Sequence, residues 1–169
     1  MATERWRAVL DTNVVIAALK SRQPASPTAE LLRRWVAGEF EVIYSAALQA
    51  EYEEKIAARA IEPVRAAGFL ADLQAHGVRI EVDTVEAVIT ADPDDDLVLA
   101  CAILGGATHL VTYDPHFLPL GDRYRGVCIL DGLHFLYLVR GDRPLAFFQH
   151  SFATLLTNQP IYPSPINGE

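Results

Sequence analysis

The chain alternates between short apolar runs and longer segments in which apolar residues recur at helical spacing. Short apolar or alternating runs bounded by turn residues are typical of β-strands. On this basis we predict five strands, over residues 6–10, 41–44, 78–82, 109–112 and 127–130.

Four longer helices are predicted between these strands, and each has recognisable end signals. Pro27 and Pro63 suit the first helical position, and Ser45 suits an N-cap. The helices are predicted over residues 26–38, 46–59, 63–77 and 92–106. Strands separated by helices of this length need crossover connections. The pattern therefore predicts an α/β fold, a three-layer α/β/α sandwich with a five-stranded, mostly parallel sheet.

The segment after the last predicted strand has a different character. Residues 131–139 predict a short apolar helix, and residues 142–156 predict a second one. The final dozen residues carry three prolines and predict an extended tail. We therefore expect one domain over residues 1–140, followed by a helix and tail over residues 141–169 that do not fold separately.

Composition limits the class of protein. With 169 residues and 51% hydrophobic content, the chain is long enough for one domain with a packed core. Its longest uncharged stretch, residues 97–107, is about half of the ~20 residues that a membrane span needs. The N-terminus lacks a signal-peptide pattern, and the two cysteines lie in apolar segments. These features predict a cytoplasmic protein with no membrane partner.

The net charge of −8 limits how the protein could bind nucleic acid. A passive binder of nucleic acid needs local cations for each phosphate, so this charge argues against one. It does not exclude an enzyme that holds nucleic acid through metal ions, because the acids themselves can be metal ligands.

Several acids follow predicted strands or begin a predicted helix. Asp11 comes directly after the first strand, Asp114 follows the fourth, and residues 94–96 are three aspartates in a first helical turn. The carboxyl ends of parallel strands form one edge of a sheet, so these acids should meet there. A helix cap or an Asx-turn explains one or two of them. Three consecutive carboxylates exceed what a cap requires, and their mutual repulsion favours a bound cation.

Glu51 has two interpretations. It lies between Leu48 and Tyr52 on the buried side of its predicted helix, which favours a position in the site. The alternative is an exposed ion pair with Lys55 at spacing i, i+4, which stabilises a helix by only a few tenths of a kcal/mol. The pattern alone leaves both open.

These residues together resemble the motifs of the PIN-domain nucleases, and most closely those of toxin components from bacterial toxin–antitoxin pairs. The resemblance covers roughly residues 7–137. It rests on four short segments: Leu10-Asp11-Thr12-Asn13, Ser45 with Glu51, Asp92-Pro93-Asp94-Asp95, and Thr112-Tyr113-Asp114. It implies the parallel α/β/α fold and a ribonuclease that uses one or two Mg²⁺ or Mn²⁺ ions. It also implies an RNA substrate, a small antitoxin partner and a homodimer.

The resemblance assigns a role to each matching residue. The catalytic and metal-binding acids are Asp11, Glu51, Asp95 and Asp114, with Asp96 as a further candidate ligand. Asn13 and Thr112 match polar positions that orient the acids, Ser45 matches the N-cap serine, and Asp92 is a cap or supporting residue. Tyr113 departs from the family, which often has glycine or asparagine there.

Other chemistries have weaker support. A phosphatase of the haloacid dehalogenase kind needs a second aspartate where Asn13 stands and a late lysine, but no lysine follows Lys55. A PIN fold that binds without cutting remains an alternative. His116 is the one histidine expected near the site, and we interpret it as an ordinary loop residue. The candidate cations for RNA contact are Lys20, Arg22, Arg33, Arg34, Lys55 and Arg59, which the sequence does not rank.

Overall fold

A computed structural model describes residues 5–142 of the chain. A six-stranded sheet forms its centre, with the order β3-β2-β1-β4-β6-β5. Its strands are β1 (Arg7–Leu10), β2 (Glu41–Ser45), β3 (Val78–Ile80), β4 (His109–Val111), β5 (Arg123–Tyr124) and β6 (Val127–Leu130). All neighbouring strands pair in parallel except β5 and β6. The predicted α/β/α fold with a mostly parallel sheet is thus confirmed, with one additional edge strand.

Six α-helices and one 3₁₀ helix connect the strands within the described residues. They are α1 (Thr12–Lys20), α2 (Pro27–Val36), α3 (Ala46–Ala58), α4 (Pro63–His76), α5 (Pro93–Leu104), the 3₁₀ helix (Pro115–Leu120) and α6 (Gly132–Arg140). Side-chain caps start most of them, because an unsatisfied backbone N–H at a helix N-terminus needs an acceptor. Ser26 accepts from the N–H of Ala29, and Ser45 accepts from that of Leu48.

Helix α1 and strand β5 were not predicted from the sequence. Helix α1 carries the β-branched run Val14-Val15-Ile16 directly after β1, which resembles a continuing strand. Burial of Val14 and Val15 against the core outweighs this local preference. Strand β5 has only two residues, too few to give an alternating pattern.

The core contains the central strands and the inward faces of the helices. Ala8, Val9 and Leu10 of β1 and Leu110 of β4 are fully buried. Burial of each large aliphatic side chain stabilises the fold by about 1.5–3 kcal/mol relative to exposure. The central strands are therefore firmly held in the core, and they fix the positions of the residues that directly follow them.

The order of the strands places a crevice at one point of the sheet edge. From β1 the chain adds β2 and β3 on one side, and then crosses to β4 on the other side of β1. At such a switch point the connections leave β1 and β4 in opposite directions, which opens a crevice at their carboxyl ends. Asp11 follows β1 here, and Asp114 follows β4.

The end of the described region matches part of the expectation for the C-terminal segment. The predicted helix over residues 131–139 corresponds to α6, which ends at Gly141 with a left-handed φ of 72°. The predicted second helix and the proline-containing tail lie outside the described residues, apart from Asp142. Within residues 5–142, no helix has the length and apolar character needed to cross a membrane.

Candidate functional site

Asp11 lies at the centre of the crevice and is almost completely buried. It is the N-cap of α1, and only 4% of its surface is exposed. Three donors contact its carboxylate: the backbone N–H of Thr12 at 2.7 Å, the Thr112 hydroxyl at 2.5 Å and the Asn13 side-chain amide at 3.1 Å. Both carboxylate oxygens are thereby held in fixed positions.

The pKa of Asp11 shows that these donors do not fully compensate for its burial. Burial raises the pKa from 3.8 to about 7, while the hydrogen bonds from Thr112 and Thr12 oppose the rise. The nearby carboxylates of Glu51 and Asp95 raise it further. A bound cation would favour the charged carboxylate and lower this pKa.

Thr112 and Asn13 connect Asp11 to the segment that follows β4. The Thr112 hydroxyl, which donates to Asp11, also accepts the backbone N–H of Asp114 at 2.9 Å. The Asn13 carbonyl accepts the backbone N–H of Tyr113 at 3.2 Å. The backbone that carries Asp114 is therefore fixed relative to Asp11 by two side-chain bridges.

Helix α3 brings Glu51 to the crevice. The Ser45 hydroxyl caps α3 and is buried outside the crevice, so it contributes by setting where the helix starts. One residue after Glu51, the buried Tyr52 hydroxyl donates to the backbone carbonyl of Leu10. Burial raises the pKa of Glu51, and the nearby Thr12 hydroxyl and the Lys55 cation oppose the rise.

The described structure does not show the ion pair between Glu51 and Lys55 that the sequence left open. The Lys55 ammonium lies 3.4 Å from Glu54 instead. Both Glu51 and Lys55 line the same cleft. This arrangement supports the inward interpretation of Glu51.

The consecutive acids at the start of α5 point in different directions. Asp95 lines the cleft, and burial raises its pKa to about 6. Asp92 caps α5 by accepting the N–H of Asp94 at 3.0 Å, and both also line the cleft. Asp96 does not. Its Oδ1 accepts the backbone N–H groups of Val88 and Ile89, at 3.0 and 2.8 Å, on the other side of the helix.

His116 is not the ordinary loop residue that we expected. It lies in the 3₁₀ helix, and its Nδ1 is 2.8 Å from Asp95 Oδ2 and 3.3 Å from Asp114 Oδ1. The hydrogen bond with Asp95 raises the pKa of His116. Asp92, Asp95 and His116 each offer one ligand atom, all within 4.8 Å of one another.

The cleft has a volume of about 430 Å³ and is open to solvent. Four of the predicted acids line it, each from a different part of the chain: Asp11, Glu51, Asp95 and Asp114. Thr12 also lines it, and its buried hydroxyl lies beside Glu51. Carboxylate and hydroxyl oxygens are the hard ligands that Mg²⁺ and Mn²⁺ prefer, so this lining fits such an ion.

Sequence reasoning missed Thr12 as a residue of the cleft, and it placed His116 near the site without its contact to Asp95. Thr12 is adjacent to a recognised acid, and His116 follows Asp114 by two residues, so proximity was the available signal. The departure at Tyr113 does not reach the cleft. Its ring is directed at Gly132, where an added Cβ would lie 2.6 Å from the tyrosine hydroxyl oxygen.

Comparison with known proteins identifies the family. A family model described as PIN domain matches residues 7–116. The chain belongs to the PIN-domain family. This membership excludes the phosphatase alternative, which required a different family.

Solved structures include proteins with the same fold as this PIN domain. One is the crystal structure of VapBC2 from Rickettsia felis bound to a DNA fragment from their promoter. The match has a TM-score of 0.51 and 13% sequence identity, and it covers 74% of this chain and 98% of that chain. At this identity the likeness shows the fold alone. No curated protein sequence matches the chain significantly.

The raised pKa of Asp11 predicts a pH dependence of stability in metal-free protein. The folded state holds the Asp11 proton more tightly than the unfolded chain, so the protonated carboxyl contributes to the free energy of unfolding at low pH. This contribution to stability is lost as the pH rises from about 4 through about 7. The Asp11→Asn variant lacks this pH-dependent contribution. Its free energy of unfolding relative to wild type should therefore rise by on the order of 3 kcal/mol between pH 4 and pH 8.

Urea unfolding in EDTA across this pH range measures the shift. Asp83→Asn, at an exposed position away from the cleft, is the control and should track the wild type. A constant difference between Asp11→Asn and wild type at every pH would contradict the prediction.

The backbone contacts of Asp96 predict a structural role for this residue. Asp96→Ala leaves the N–H groups of Val88 and Ile89 without an acceptor, which should lower the free energy of unfolding by about 1–3 kcal/mol. Asp96→Asn retains the accepting oxygen and should cost less. Chemical denaturation compares the two, and calorimetric titration with Mn²⁺ should show unchanged affinity for Asp96→Asn. Loss of Mn²⁺ binding in that variant would contradict the prediction and indicate that Asp96 is a metal ligand.

Proposed function

We propose that this PIN domain, over residues 1–140, is a divalent-metal-dependent endoribonuclease. The observation that carries the proposal is the convergence of Asp11, Glu51, Asp95 and Asp114 from separate elements in one cleft. Burial raises the pKa of three of them, so the protein holds them together at a cost that a cation offsets.

In this proposal the four acids hold one or two Mg²⁺ or Mn²⁺ ions. A bound ion supplies a water of lowered pKa and offsets the negative charge that develops on the phosphate. An ion held by these acids would offset their repulsion of an RNA phosphate, which makes the proposal compatible with the net charge of −8. The same acids would repel RNA when the metal is absent.

Polar residues in and beside the cleft position these acids. Asn13 and Thr112 hold the Asp11 oxygens, so the carboxylate keeps its orientation when it loses its proton. Asp92 starts α5 and thereby places Asp95. His116 holds Asp95 on the side of Asp114. Each of these contacts reduces the reorganisation needed when an ion and a substrate bind.

We further propose that the protein is the toxin of a toxin–antitoxin pair and acts in the cytoplasm as a dimer. The resemblance of its motifs to such toxins supports this proposal, as does the fold shared with the VapBC2 structure. The partner would be a small antitoxin protein. Light scattering of the purified protein tests the dimer.

The central experiment is cleavage of end-labelled RNA with and without Mn²⁺. We expect cleavage only with the metal, and a loss of at least about a hundredfold in Asp11→Asn and Asp95→Asn, because each removes a ligand charge. Asp94→Asn is the matched control, since Asp94 lies in the same helical turn and has no contact with His116 among the described residues.

Two results would contradict the proposed metal-dependent mechanism. Cleavage that persists in EDTA would show that the metal is not required. Equal loss of activity in Asp94→Asn and Asp95→Asn would indicate damage to the start of α5 rather than loss of a ligand. Intact RNA with a Mn²⁺-dependent rise in melting temperature would favour the PIN fold as a binding module.

The toxin proposal predicts an effect on growing cells. Induced expression in a bacterial host should stop growth, whereas Asp95→Asn at the same protein level should allow it. Co-expression of the small reading frame next to the gene should restore growth to cells with the wild-type protein. Normal growth with active, soluble wild-type enzyme would contradict the toxin role while leaving the nuclease proposal intact.

A further inference from the structure

A second groove continues from the cleft along helices α1 and α3. Its volume is about 490 Å³, and Arg59 lines both the cleft and this groove. Helix α1 contributes Ile16 and Ala17 to the cleft and then Leu19 and Lys20 to the groove. The two spaces therefore adjoin at Arg59 and along α1, and together they are called the path.

The charge along this path changes sign. Both α1 and α3 start at the acidic edge of the sheet and end with cations. On α3, Glu51, Lys55 and Arg59 recur at intervals of four residues, which places them on one face of the helix. On α1, Lys20 ends the nine-residue helix that Asp11 caps, about 13 Å from Asp11 at 1.5 Å per residue.

Three cations of the groove are available for a ligand. Lys20, Arg22 and Arg59 are exposed, and none has an ion pair within residues 5–142. Arg65 also lines the groove, but it donates to the carbonyls of Leu19 and Ser21 and so holds the end of α1. The carboxylate among the lining residues, Glu62, lies 3.7 Å from Arg65.

Other cations that the sequence offered as RNA contacts are used within the fold. Arg34 pairs with Glu30 and Glu39, at 2.8 and 2.6 Å, and Arg33 donates to the carbonyl of Pro24. The structure thus separates the six candidates, since Lys20, Arg22, Lys55 and Arg59 line the cleft or the adjoining groove and Arg34 lines neither. Arg33 lines a third, more apolar groove, which shares Leu19, Arg22 and Arg65 with the second groove.

We propose that this basic groove binds the phosphodiester backbone of single-stranded RNA on one side of the cleavage site. This inference rests on the proposed nuclease function and extends it to the path of the substrate. The lining is mostly polar, which favours a phosphate backbone over an amphipathic peptide. Lys20, Arg22 and Arg59 contact phosphates, and Lys55 lines the cleft one helical turn before Arg59.

The test measures binding of fluorescent single-stranded RNA by anisotropy, with Mg²⁺ present and Asp11→Asn in every protein to prevent cleavage. The groove variant is Lys20→Gln with Arg59→Gln. The matched control is Arg79→Gln with Arg123→Gln, which removes the same charge from strands β3 and β5, outside both the cleft and the groove.

The groove variant should bind RNA about tenfold more weakly near 0.1 M salt. The slope of log affinity against log salt should fall by about 1.4, since each phosphate contact in a single strand contributes about 0.7. The control should keep the affinity and the slope of its parent. Equal weakening in both double variants, or in neither, would overturn the proposal.

Two further arms separate this inference from its alternatives. A polyglutamate peptide that loses binding in the groove variant, while RNA affinity stays unchanged, would show that the groove takes an acidic protein and would overturn the proposal. RNA cleavage by the Asp11-containing parent is measured in parallel. If that protein fails to cut RNA but the groove variant still loses RNA affinity, the nuclease proposal fails. The proposal that the groove binds RNA is then retained.

Discussion

The structure depends on keeping a carboxylate out of water at the end of its central strand. Asp11 follows β1, the strand with neighbours on both sides in the middle of the sheet, and burial raises its pKa to about 7. Burial of a charge is costly unless partners surround it. Thr12, Asn13 and Thr112 supply these partners, and they also fix the start of α1 and the segment after β4. The demands of one side chain thus organise the local backbone.

Much of the fold was predictable because its signals are local. Short apolar runs marked five strands, and Ser26, Ser45 and Asp92 marked the starts of α2, α3 and α5. Helix α1 escaped detection because its β-branched residues prefer strands, and only packing in the folded protein decides otherwise. Local preference fails where tertiary burial is strongest, and here this happens next to the site.

The candidate site was predictable in its acids but not in how they are oriented. Asp95 and Asp96 are adjacent, and one residue of helix rotates the side chain by about 100°. Which of the two faces the cleft depends on where Val88 and Ile89 lie, in a segment without periodic pattern. His116 reaches Asp95 from 21 positions away. No spacing rule relates these two residues, because the contact exists only after α5 packs against β4.

The hydrogen bond from the Tyr52 hydroxyl to the Leu10 carbonyl has a consequence for how precisely the acids are spaced. Glu51 precedes Tyr52 by one residue, and Asp11 follows Leu10 by one residue. A single buried bond therefore ties together the immediate neighbours of two acids that are forty positions apart in the chain. The separation of the two backbone segments that carry these acids is thus set by a local contact rather than by the packing of the whole sheet. Movement of the outer helices or of the sheet margins can accordingly be absorbed without altering that separation.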